Sequence, residues 1–234
     1  MKNVVFAFLL ISFSSCETLM KSAGGIYGSG ASAQEADLGI RQALTQGVGK
    51  GISLLNKTDG FFGTEAYRLF LPPDAVRIES TLRSLGLGNQ VDHAILQINR
   101  AAEDAVGQAT PIFSDAITGM TVADALNIVS GSKNAATSYF REKTRGKLIE
   151  SFTPTIRTSL DKMDATRFYT EIVNTYNRIP TTLNKLNPDL VSYVAEKATD
   201  ALFDQIEKEE ANIRENPLAR TTQILQKVFG TRYR

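Results

Sequence analysis

Apolar residues recur every three or four positions along most of this chain, a period that predicts α-helices. Leu38, Leu44, Val48, Ile52 and Leu55 form the first such stripe, and Ser32-Ala33-Gln34-Glu35 in front of it has the form of a capping box. A second stripe from about Asn89 carries Val91, Ile95, Ile98, Ala102 and Val106, with Pro111 placed to interrupt or restart the helix. Thr121-Val122-Ala123-Asp124 resembles another N-terminal cap, for a short helix ending at Gly131. A helix over about 134–152 comes next; Pro154 is expected to break it before a further segment to Met163, and Asp164 to cap a helix to about Arg178. Asn187-Pro188-Asp189 opens a long helix with Val191, Val194, Ala198, Leu202 and Ile206 on one stripe and acids around 207–210. Asn216-Pro217 separates it from a last helix, with Leu218, Leu225 and Val228 facing inward and Gly230 closing it.

One segment breaks the period. In DGFFGTEAYRLFLPPD, residues 59–74, Tyr67, Leu69 and Leu71 alternate, which predicts a short extended segment near 67–71 before Pro72 and Pro73 stop it. The prolines suit the first turn of a helix through Leu85, with Gly86 at its end. About eight to ten helices with short turns, and no strand series able to build a sheet, predict an all-α fold: one globular multi-helix domain over residues 33–234. No self-similarity with a period of about 30–45 residues marks a helical solenoid.

Ahead of the domain the pattern changes. Lys2, an apolar run over 4–13, and then Ser14, Ser15 and Cys16 make the three-part pattern of a secretory signal peptide, assigned to residues 1–15. The run is about half the roughly 20 residues that a membrane-spanning helix needs. Phe13-Ser14-Ser15-Cys16 resembles the lipobox of bacterial lipoproteins, with Phe13 where an aliphatic residue is usual. The resemblance implies that the leader is removed and Cys16 is acylated. As the only cysteine, Cys16 has no partner for an intrachain disulfide, and lipid attachment gives it a role. Two or more acyl chains hold a protein stably on a membrane where one does so marginally. The stretch after it, ETLMKSAGGIYGSGA, is rich in glycine and has no apolar period, so residues 16–32 are expected to form a flexible tether. Glu17, rather than the aspartate that resembles an inner-membrane retention signal, favours the periplasmic face of the outer membrane.

Composition narrows the chemistry. Hydrophobic residues at 42% and charged ones at 22% are ordinary globular usage. Lys plus Arg number 26 against 25 for Asp plus Glu, so loss of Lys2 with the leader balances the charges and leaves no field that recruits nucleic acid. The basic run Arg141-Glu142-Lys143-Thr144-Arg145-Gly146-Lys147 lacks interleaved aromatic rings and reads as a solvated helix face. His93 is the only histidine, and helical spacing puts it with Gln97, Arg100 and Asp104, away from the Val91 stripe, as a solvated side chain. There is no G-x-S-x-G elbow, and one histidine plus carboxylates do not make a structural zinc site. An EF-hand register through Gly60 would put Leu55 at the first ligand position. Gly47-Val48-Gly49-Lys50-Gly51 has Leu44 and Gly51 where a phosphate loop needs Gly and Ser or Thr, so its glycines are read as permitting close helix packing. No catalytic residue, cofactor or metal is therefore expected. Phe61, Phe62, Tyr67 and Phe70 crowd the non-helical segment, either as a plug for the core or as a contact surface.

Several stretches together resemble a family of bacterial exported proteins, the domain of unknown function 4197. They are DGFFG, LRSLGLGNQVD, INRAAEDAV, PIFSDAITGMTVADALNIVSG, AATSYFR and IRENPLARTT, in that order over about 40–230. The resemblance implies a helical, exported domain without a cofactor and supplies no catalytic residues. The expected function is a lipid-anchored envelope protein, not an enzyme, that binds or scaffolds a protein partner. The alternative is a carrier of a small apolar or lipid-like ligand in an inter-helix pocket, with charges such as Arg100 or Asp115 turned inward; an enzyme using carboxylates ranks third.

Overall fold

In the computed structural model the described residues are 32–162, 165–178, 185–187 and 189–229, and they contain nine α-helices and no strand. Helix α1 spans Ala33–Leu55, α2 Val76–Ser84, α3 Gly88–Val106, α4 Ala109–Thr118 and α5 Val122–Ser130. They are followed by α6 over Ala135–Asp161, α7 over Ala165–Asn177, α8 over Leu190–Glu215 and α9 over Gln223–Phe229. The two longest helices, α6 and α8, pack on one another and α3 lies against both, while α1 crosses α8 and gathers α4, α5 and α9. Phe113 of α4, Phe140 of α6 and Phe203 of α8 meet edge to face where these layers join, with centroids 5.1 and 6.2 Å from Phe113. This is a single all-α domain.

The caps form as their residue types require. Ser32 Oγ accepts from the Glu35 N–H at 3.2 Å while the Glu35 carboxylate accepts from the Ser32 N–H at 2.8 Å. Thr121 and Asp124 make the same reciprocal pair in front of α5, and Asp189 accepts from the Ser192 N–H in front of α8. Gly86, at φ +82°, takes the left-handed conformation that lets the chain turn after α2. Cβ atoms on Gly47 and Gly51 would meet α8 side chains at 3.8 and 3.4 Å, whereas Gly49 faces open space, so two of the three glycines serve close packing.

Three expectations are corrected. Helix α6 continues without a break through Pro154. The carbonyl left without a donor belongs to Glu150, which is exposed along with Pro154, while Phe152, Ile156 and Leu160 are fully buried on the opposite side; packing outweighs a bond lost to water. Leu38 is 55% exposed because the buried face of α1 runs through Ala36, Ile40, Ala43 and Leu44 instead. Leu218 is 90% exposed because it sits in a separate 3-10 turn, Pro217–Ala219, ahead of α9. Cys16, the leader, the tether through Ala31, and also Met163, Asp164, Pro188 and Gly230, lie outside the described residues.

Candidate functional site

The DGFFG motif is the hinge on which the site hangs. After α1 the chain turns through Asp59, whose φ is +64°. Phe61 enters the core, and the N–H groups of Phe61 and Phe62 both donate to Glu103 Oε1 of α3, at 3.0 and 3.2 Å. Arg100 completes the lock, bonding Glu103 Oε2 at 2.6 Å and Asp59 Oδ1 at 2.8 Å. A Cβ on Gly60 would strike the Leu55 carbonyl, and one on Gly63 the backbone of Asp59, so these two glycines permit the tight return. Arg68 lies over the Phe62 ring at 4.3 Å and donates to its carbonyl at 2.7 Å.

The segment that follows is not a strand: the Tyr67 and Arg68 N–H groups turn back to the Thr64 carbonyl, and only the alternation of burial that the sequence predicts is kept. Tyr67, Leu69 and Leu71 are buried while Phe70 is 55% exposed. The place of a neighbouring strand is taken by one side chain. The fully buried Asn99 of α3 accepts from the Leu69 N–H and donates to the Leu69 carbonyl, both at 2.8 Å, and its second amide hydrogen reaches the Ile95 carbonyl at 2.7 Å. Every capacity that burial would otherwise leave unpaired on this amide and on Leu69 is met.

Held this way, residues 66–76 form one wall of an open groove of about 810 Å³, and α8 forms the other. Tyr193, Lys197, Asp200, Asp204 and Lys208 recur at helical spacing along the α8 wall. Arg68, Phe70, Pro73 and Val76 stand opposite, Val76 being 57% exposed. At the floor the Tyr67 hydroxyl lies 2.8 Å from Asp204 Oδ2, 2.8 Å from Gln205 Oε1 and 2.9 Å from Lys208 Nζ; Lys208 is itself 2.7 Å from Asp204. Burial pushes the Tyr67 phenol up, against the opposing bond from Lys208. Bonds to Asp204 and Tyr67 push Lys208 up to about 12. Burial raises the Asp204 carboxyl, but the bonds from Lys208 and Tyr67 outweigh it and hold it below the usual range. Asp200 is engaged by Arg145 at 2.5 Å and has Arg141 at 3.8 Å. Both groove acids are thus neutralised, whereas among the described residues no carboxylate reaches ion-pair distance of Lys197 or Arg68.

The other singled-out residues fall elsewhere. His93 and Asp115 are exposed, and Arg100 serves the DGFFG lock rather than a pocket. The aromatic quartet divides, with Phe61 and Tyr67 buried and Phe70 on the groove wall. Between α1 and α8 lies a cleft of about 30 Å³, lined mainly by apolar side chains such as Ile40, Val48, Phe140 and Ile213, and room for about two waters. Beside it the acids of 207–210 turn out to be partly interior. Glu209 bonds Lys50 at 2.7 Å, and Glu210 accepts from the Ala136 and Thr137 N–H groups at 3.0 and 2.9 Å and from Arg214 at 2.8 Å. Among the described residues no three His, Cys, Asp or Glu side chains stand together as a metal site.

An all-α domain carrying an amphipathic surface groove is therefore the class that fold and site define. Residues 30–230 match the family described as protein of unknown function DUF4197, and the chain belongs to that family. No curated protein and no solved structure matches it.

Proposed function

We propose that this protein is a lipid-anchored module of the bacterial cell envelope, held by acylated Cys16 at the periplasmic face of the outer membrane, and that it acts by binding a partner in the α8 groove. The open groove carries the reading, because it joins exposed apolar side chains, Phe70 and Val76, to cations that meet no carboxylate. The ionisable groups at its floor support binding over catalysis. Tyr67 is kept protonated, Lys208 is kept charged to about pH 12 and Asp204 is kept ionised, so near neutral pH none is poised to exchange a proton. The cleft between α1 and α8 is too small for an acyl chain, which favours the surface over the interior as the place where a ligand sits. No single helix among the described residues is long and apolar enough to cross a membrane; the lipobox-like Phe13-Ser14-Ser15-Cys16 is what supports attachment through lipid on Cys16.

The reading is tested in cells with a photo-crosslinking amino acid at position 70, and with the same group at exposed position 93 as control. Adducts of defined mass are expected from position 70 and not from position 93. Equal labelling at both positions, or none at position 70, contradicts groove binding.

A further inference from the structure

We infer that the groove takes an extended acidic polypeptide segment bearing a large apolar side chain. This rests on the groove being the binding surface and specifies what fits it. The α8 wall from Tyr193 to Lys208 covers sixteen residues of helix, about 22 Å end to end at the helical rise, which matches about seven residues of extended chain. Length of this kind suits a polypeptide better than a compact metabolite.

Charge decides the sign of the partner. A basic segment would meet Asp200 and Asp204, whose carboxylates are already occupied by Arg145 and by Lys208 with Tyr67. An acidic segment meets Lys197 and the terminal nitrogens of Arg68, which have no carboxylate within reach among the described residues. The groove lining holds Arg68, Lys197 and Lys208 beside Asp200 and Asp204, and because both acids are engaged, the charges left for a partner among the described residues are the cations Arg68 and Lys197. Apolar surface fixes the second requirement. Phe70, Pro73 and Val76 line the same wall as Arg68, so a Leu or aromatic side chain between acids would cover Phe70 while its neighbours reach the cations. A flat anionic bilayer touches the exposed Phe70 and Val76 but not the recessed part of the lining, where Tyr67 and Leu69 are buried, and an extended segment entering the groove reaches both.

The test is selection from a phage-displayed library of random heptapeptides on the detergent-solubilised full chain. Enriched peptides are expected to hold at least two Asp or Glu around one Leu, Phe or Tyr. Their binding should weaken about tenfold or more in Arg68→Glu/Lys197→Glu, and comparably in Phe70→Ser. Both cations are exposed, and a peptide with Lys in place of its acids should bind the charge-reversed chain, a rescue that simple misfolding does not give. Enrichment without acids, no enrichment, or binding indifferent to the double reversal overturns the inference. If position 70 crosslinks in cells while the library yields no acidic motif, the acidic-segment inference fails and groove binding stands; if both are negative, both fail.

Discussion

At the residue scale, Asn99 decides whether the groove has a wall. Among the described residues its amide alone bonds the Leu69 N–H and carbonyl, so Asn99→Leu leaves two buried backbone groups unpaired. The expected cost is about 2–4 kcal/mol in chemical denaturation, with loss of hydrogen-exchange protection at the Leu69 amide. The floor of the groove titrates. Tyr67 and Lys208 both have folded pKa values raised above their unfolded ones, near 10, so their contribution is fully present below about pH 10. It is lost as pH rises through the folded values, about 12 for Lys208. Denaturation midpoints should therefore fall between about pH 10 and 12 in the wild type and fall less in Tyr67→Phe/Lys208→Met. Asp204, held low, acts in the opposite direction: its share is present above about pH 4 and lost on acidification below that.

At the scale of elements, Glu210 joins two helices that sequence neighbours cannot join. It caps the first turn of α6 through the Ala136 and Thr137 amides and pairs with Arg214, which reaches on to the Ile128 carbonyl of α5 at 2.9 Å. Glu210→Ala strands Arg214 in the interior and should cost about 3–5 kcal/mol. Exposed Glu207→Ala, one turn earlier, should stay within about 0.5 kcal/mol, and thermal or urea unfolding separates the two. Here the sequence was readable further than expected. Positions 198, 202, 206 and 210 continue one series of fours, so Glu210 lies on the buried stripe and Arg214 one turn beyond it. Caps and stripes placed most helices because both are local. Pro154 misled because the burial that keeps α6 continuous comes from distant helices, which no window of α6 contains. Asn99 was hidden for the same reason. Only the unmet backbone of a segment thirty residues away explains a polar side chain beside Ile98.

For the whole molecule, what a partner meets at the groove is set by pairing rather than by net charge: Arg145 of α6 and Lys208 of α8 engage its two acids and leave Arg68 and Lys197 available. The aromatic cluster could be recognised in the sequence, but not its division into core and surface, since that depends on where Glu103 pins the loop. Location and binding converge in one object: the chain as it sits in its own membrane. Native mass spectrometry of wild type and Arg68→Glu/Lys197→Glu purified from those membranes tests both at once. The account predicts acyl mass on Cys16 in both proteins and a retained polypeptide on the wild type that the groove variant has lost. An unacylated chain, or a bound partner unchanged by the variant, contradicts it.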